Sequence, residues 1–282
     1  MEVFISDARI DELIAEDVPY IDLTTEVLGI GAVSAQIEFF TREACTVCAT
    51  EEAARILERL GAQVTYLAPS GTRLQPQDVC LRATGTAAAL HKAWKVSLNL
   101  LDHCSAVATK TASMVEAVKA VNPDCEVLTT RKSMPGVKDL LMKAVTTGGA
   151  FPHRLGLSET VLVFDNHTRL MGGFDAFVEA LPRIRRRCIE KKLFVEANAE
   201  QALVLARAGV DGLQFDKLTP EQLVPLVKEI REIDPHCTLI AAGGINPKNA
   251  AEYAATGVDG LVTTALYTAK PLDMSAKITA VQ

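Results

Sequence analysis

The sequence predicts an α/β fold: an N-terminal α+β domain of sandwich-like build, followed by a TIM-like α/β barrel. Three observations carry this. From about residue 125, apolar β-rich runs alternate with helical patterns, as in βαβ units of a parallel sheet. The units recur every 20 to 35 residues or so, which suits closure into a barrel better than a short open sheet. Four of these six strand-like runs stop at or lead into a charged residue, as barrel strands do at their active rim.

In chain order, "RIDELIAEDV" (9–18) predicts an amphipathic helix, "AQIEFFTREA" (35–44) alternates like a strand, and "EEAARILERLGA" (51–62) is a helix stopped by glycine. "SGTRLQPQDVCLRATGTAAAL" (70–90) reads as short strands joined by turns, and residues 91–121 are helical throughout. The barrel strands are "CEVLTT" (125–130), "TVLVFD" (160–165), "LFVEA" (193–197), "DGLQFD" (211–216), "CTLIAAGG" (237–244) and "DGLVTTAL" (259–266). Two helices between them are distinct. "PGVKDLLMKAVTTGG" (135–149) puts proline in its first turn, and "NAEQALVLARAG" (198–209) ends on glycine. The expected domains are 1–105 (α+β), 106–270 (barrel) and a tail, 271–282, returning onto the N-terminal domain.

Composition narrows the function. With 282 residues, 49% hydrophobic and 23% charged, the chain can bury a full core. A net charge of −6 argues against a general nucleic-acid surface, so any anion site has to be built locally. No signal-like or membrane-length apolar run is visible, and a cytoplasmic location without membrane contact is expected. Seven scattered cysteines suit reduced thiols. Cys45 and Cys48 form C-x-x-C, but nothing completes four zinc ligands, and small buried side chains are the expected reading.

Parallel strands bury both faces, so charges inside them are costly except at the ends. Here Arg131 and Lys132 follow the first barrel strand, Asp165 ends the second, Glu196 the third and Asp216 the fourth, with Lys217 after it. The loop "GGAFPHRLGL" adds His153 and Arg154. Arg131, Lys132, His153 and Arg154, with Lys95 from elsewhere, supply donors for carboxylate or phosphate. Glu196 and Asp216 suit Mg²⁺, which takes oxygen ligands and keeps its waters, or sugar hydroxyls. Ala242, Gly243 and Gly244, with Thr263 and Thr264, form turns whose small residues let backbone N–H groups approach a phosphate. His91, His103, His167 and His236 read as core or surface residues, with His167 the one placed to support a site.

"TTRKSMPGVKDLLMKAVTTGGAFPHRLGLSETVLVFDNH" (129–167) resembles the core signature of the quinolinate phosphoribosyltransferase family, also called nicotinate-nucleotide pyrophosphorylase. "EDVPYIDLTTEVLG" (16–29), residues 193–223 and "AAGGINPKNAAEYAATGVDG" (241–260) extend the likeness along almost the whole chain, nearest its ModD-type branch associated with molybdenum transport. The resemblance implies an incomplete barrel and a homodimer with shared sites. It also implies transfer of phosphoribosyl from phosphoribosyl pyrophosphate (PRPP), with Mg²⁺, to a small anionic or heterocyclic acceptor. By position, Arg131, His153 and Arg154 match carboxylate-binding residues, Lys132 a pocket lysine, and Glu196 and Asp216 the acidic pair at ribose and metal.

The departures from the family pattern bear on the acceptor. Lys95 stands where the family has an arginine lent by the neighbouring subunit, Phe164 replaces a lysine facing the substrate carboxylates, and Phe194 replaces the first glutamate of E-V-E. Ala242 replaces a serine and Thr264 a glycine of the phosphate loops. A less anionic acceptor than quinolinate is expected. The true decarboxylating enzyme and a non-catalytic anion binder are the alternatives.

Overall fold

The computed structural model describes residues 3–281. It forms two compact units: one runs to Ala112 and includes Ser133–Gly149 and the segment from Tyr267, and the other comprises Ser113–Lys132 and Ala150–Leu266.

In the first unit, α1 (Asp7–Asp17) begins where the Ser6 side chain accepts the Arg9 N–H, and it buries Ile10 and Leu13. The short α2 (Leu23–Leu28) is capped by Asp22. β1 (Ser34–Thr41) alternates as its sequence predicts, with Ala35, Ile37, Phe39 and Thr41 buried. β2 (Cys45–Thr46), α3 (Thr50–Arg59), β3 (Gln63–Leu67), β4 (Arg73–Leu74) and β5 (Val79–Thr86) follow, then α4 (Ala87–Val121). The expected boundary at residue 105 falls inside this 35-residue helix, whose sequence holds no glycine or proline to interrupt it. The unit also takes in α5 (Lys138–Thr147). This helix starts beyond Pro135 because Gly136, at φ +85°, is outside the helical region. The tail from Met274 to Ala280 pairs antiparallel with β1, so the sheet order is tail, β1, β5, β3.

Lys143 of α5 carries much of this unit's buried charge, its Nζ lying 2.9 Å from Glu51 and 2.7 Å from Glu52. Burial pushes the Glu51 carboxyl up, but hydrogen bonds from Ser70 and Lys143 outweigh it and hold the group at about 2. A depressed carboxylate contributes stability that is complete above its ordinary range and lost as pH falls through the folded value. Glu51→Gln is therefore expected to melt below the wild type at pH 7. Thermal scans should show that gap closing from about pH 4.5 down to about 2.

In the second unit, β6 (Glu126–Thr129), β7 (Phe151–Pro152), β8 (Val161–Val163), β9 (Leu193–Glu196), β10 (Gly212–Asp216), β11 (Thr238–Ala242) and β12 (Gly260–Thr263) make one parallel sheet, ordered β7-β6-β12-β11-β10-β9-β8. The strand rhythm alone suits a closed barrel; the sheet is an open, curled half-barrel with β7 and β8 as edges, the incomplete barrel that the resemblance implies. β7 is two residues long and ends on Pro152, which has no N–H to extend the ladder.

Helices α6 (Asp165–Leu170), α7 (Phe174–Arg185), α8 (Ala199–Arg207), α9 (Pro220–Ile233) and α10 (Ala250–Ala254) connect the strands. Asn198 with Gln201, and Thr219 with Gln222, cap α8 and α9 reciprocally, which fixes the loops at the strand ends. Inside the sheet, Leu162, Phe194, Ile240, Ala242 and Val262 form one cluster with Leu128 and Phe164 against it. A Cβ on Gly212 would stand 2.2 Å from the Phe194 ring, so that ring lies directly over the glycine. Among the described residues no helix is long and apolar enough to cross a membrane.

Candidate active site

The strand ends of the second unit surround a cavity of about 580 Å³. Side-chain alternation explains its lining: Leu162 and Phe164 rise from β8 and its end, Glu196 from β9, Gln214 and Asp216 from β10, Ala242 from β11, and Val262 and Thr264 from β12 and its end. Thr130, Arg131, Lys132, His153 and Arg154 enter from the loops after β6 and β7. The sheet order thus puts the cations toward one edge, with β9 and β10 on the far side of β11 and β12.

Arg154 is 9% exposed, with Nη1 donating to the Thr160 carbonyl at 3.4 Å. Burial and the charge of Arg131 lower its pKa, yet an arginine stays protonated in proteins. His153 is anchored by its backbone N–H to the Thr129 carbonyl at 3.0 Å, and its ring meets Phe194 edge-on at 6.2 Å. Burial, then the Arg154 charge, pushes its pKa down, so it favours the neutral imidazole at neutral pH. Lys132 donates its backbone N–H to Thr130 Oγ1 at 3.2 Å.

From β9, Glu196 Oε2 accepts from Gln214 Nε2 at 2.9 Å. Burial raises the Glu196 pKa, and Asp216 raises it further against the opposing effects of Gln214 and Lys132. Asp216 lies 3.7 Å from Lys217 Nζ. Lys217 itself sits at φ +63°, its N–H donating to the Ala242 carbonyl at 2.8 Å.

Gly243 and Gly244, at φ +86° and +78°, turn the chain beside this corner. Asn246 and Asn249 hold the turn by donating to the Gly244 carbonyl at 3.0 and 3.2 Å. The N–H groups of Gly243, Gly244 and Ile245 meet no acceptor among the described residues, which leaves them free for an anion. The Thr263 hydroxyl is committed to the Ile245 carbonyl at 2.6 Å and to the Ala265 N–H at 3.0 Å, so it braces the two loops. Thr264 shares a hydrogen bond of 2.9 Å with Thr130.

Every expected site residue except Lys95 therefore lines one cavity; Lys95 lies on α4 in the first unit. Sequence reasoning missed Gln214 and Asn246. Phe164 forms part of the wall, with His167 stacked against it at 5.8 Å and accepting its N–H at 2.9 Å. Of the cysteines, Cys45 and Cys48 are buried and unpaired, and burial pushes the Cys48 thiol up to about 11.

No group of three or more His, Cys, Asp or Glu side chains is arranged to hold a metal among the described residues. Two carboxylates at the rim would suit an Mg²⁺ that keeps most of its waters, and they do not make a resident protein cage.

A parallel half-barrel with a cavity lined by cationic and acidic side chains at its strand ends is the class of protein that fold and site define. The chain belongs to the quinolinate phosphoribosyl transferase family: the models of its N-terminal and C-terminal domains match residues 22–105 and 107–277. It is 42% identical over 254 residues to ModD of Rhodobacter capsulatus, named as a candidate pyrophosphorylase, covering 90% of this chain and 97% of that one. It is 30% identical to the carboxylating nicotinate-nucleotide pyrophosphorylase of Homo sapiens, covering 96% and 91%. The crystal structure of NadC from Streptococcus pyogenes superposes with a TM-score of 0.90 at 25% identity, covering all of both chains.

Proposed function

We propose that the chain is a ModD-like phosphoribosyltransferase that moves phosphoribosyl from PRPP to a heterocyclic acceptor less anionic than quinolinate, releasing pyrophosphate. One observation carries this reading: cationic and acidic walls face a single cavity beside a glycine turn with free N–H groups. Arg131, His153 and Arg154 orient the acceptor's anionic group, and His153 does so as a neutral hydrogen-bond donor. Lys132, whose charge is felt at Glu196, offsets negative charge between the acceptor and the sugar. Glu196 and Asp216 accept from ribose hydroxyls and stabilise the positive charge that grows on the sugar. Gly243, Gly244 and Thr264 receive phosphate, and Ala242 lets it approach. Glu196 and Asp216 would hold an Mg²⁺ brought by the substrate, and that ion would supply positive charge to the leaving pyrophosphate.

The test is pyrophosphate release with PRPP, Mg²⁺ and a panel of heterocyclic acids and bases. Release with none of them contradicts the reading and favours the non-catalytic binder.

The basic cluster also suits quinolinate, which keeps the decarboxylating enzyme as the second reading, but Phe164 puts an apolar ring where a second carboxylate needs a donor. Phe164→Lys is expected to improve quinolinate affinity about tenfold, the worth of one charge-assisted hydrogen bond. Competition binding measures it, and no gain would remove Phe164 as the determinant.

In the proposed homodimer, Lys95 would serve the neighbouring subunit. α2 and the segment before it leave Tyr20, Ile21, Leu23, Val27 and Leu28 more than 60% exposed, an apolar stretch suited to burial by a second copy. Sedimentation should give twice the mass of one chain, and a monomer would contradict the shared site. The link to molybdenum transport rests on the resemblance to the ModD branch, and the cytoplasm suits the unpaired thiols.

A further inference from the structure

We propose that Gln214 selects an acceptor whose ring carries a hydrogen-bond donor, an N–H or amino group, in addition to its anionic substituent. This rests on the acceptor-transfer reading and deepens it.

Gln214 is 6% exposed and lines the cavity, level with Glu196 on β9 and Ile240 on β11. Its Nε2 donates to Glu196 Oε2 at 2.9 Å. A carboxylate only accepts, so the amide has to turn its NH₂ toward Glu196 and its carbonyl away. No donor among the described residues meets that carbonyl oxygen, and it is not one of the fully enclosed orphan atoms. It opens on the cavity.

The surroundings say what should meet it. Gln214 lies one layer below Asp216, two residues earlier on β10, in a cavity whose apolar lining includes Leu162, Phe164, Ala242 and Val262. That wall suits a flat heteroaromatic ring better than a hydroxyl-rich sugar. The cations enter after β6 and β7, and the curl of the sheet brings His153 against Phe194 of β9 and Arg154 against the Thr160 carbonyl ahead of β8. A ring whose anionic group is held by Arg131, His153 and Arg154 lies along the apolar wall and presents a further edge to the Gln214 carbonyl. When an apolar edge displaces water from that oxygen, a buried acceptor is left unpaired, whereas an N–H or amino group satisfies it. Sites built this way discriminate strongly against analogues that lack the donor.

The experiment is calorimetric binding of heterocyclic monocarboxylates, pyridines and pyrimidines, matched in pairs with and without a ring N–H or amino group. The proteins are the wild type, Gln214→Leu and Gln214→Met, with PRPP binding measured alongside. The wild type should prefer the donor-bearing member by at least about tenfold in some pair. Both variants should lose that preference and keep their affinity for PRPP. Gln214→Met, unbranched and of similar length, answers if the leucine variant does not fold. Equal binding of every pair by the wild type, or a preference retained in a folded variant, overturns the proposal. So does a variant that loses PRPP instead, which would confine the role of Gln214 to holding Glu196 for the ribose. A wild type that binds no heterocycle overturns the transferase reading as well, so the two failures are distinguishable.

Discussion

Arg154→Ala is expected to lower kcat/KM for the acceptor by about a hundredfold, while the KM for PRPP stays nearly unchanged. The guanidinium is buried at the rim, beside Arg131 and His153, with one contact to the Thr160 carbonyl. Removing it takes away a charge-assisted donor to the acceptor's anionic group, worth about 1.5 to 3 kcal/mol, or about ten- to a hundredfold. Burial puts the effect at the upper end, because little water can replace the lost donor. Arg154→Lys should recover only part of the activity, since an ammonium lacks the planar fork that grips a carboxylate through two bonds. Steady-state kinetics with each substrate varied in turn checks both statements. A matching rise in the PRPP KM would place Arg154 at the sugar phosphate instead.

The second large effect is expected at a residue without a side chain. A Cβ on Gly243 would stand 2.5 Å from Asp216 Oδ1 and 2.7 Å from the Lys217 backbone nitrogen, and the φ of +86° disfavours any L side chain. The Lys217 N–H also ties this corner to the Ala242 carbonyl, so Asp216 cannot move aside independently. Gly243→Ala should therefore displace the carboxylate that accepts from the ribose and cost about a hundredfold in kcat, the usual penalty for a misplacement near 1 Å. Gly244→Ala is the control. It shares the strained φ but would meet no protein atom within 4 Å, so its loss in kcat should be much smaller, any cost to the phosphate showing in the KM for PRPP. Equal losses in the two variants would show that backbone strain, and not the displacement of Asp216, is the cause.

Much of this site was legible because burying charge is costly. Arg131, Glu196 and Asp216 stood out as charges ending apolar runs; one alone suits a helix cap or an ion pair, and it is several on one rim that point to a site. Gln214 escaped notice because a neutral amide inside "GLQF" carries no such signal; only the register that sets it level with Glu196 reveals its partner. The open edge was hidden because strand rhythm records spacing and not closure, which depends on the two-residue β7 and Pro152. The return of Ser133–Gly149 to the first unit is a tertiary preference, expressed through Lys143 and its glutamates. Lys95 could be placed only by likeness, because its expected role lies in another copy of the chain.

Crystals soaked with PRPP and Mg²⁺ test the central claim most directly. The diphosphate should lie against the free N–H groups at Gly243–Ile245, with the ribose hydroxyls between Glu196 and Asp216 and the space before Arg131, His153 and Arg154 left for the acceptor. Density for PRPP elsewhere on the molecule, or none at saturating concentration, would contradict the account.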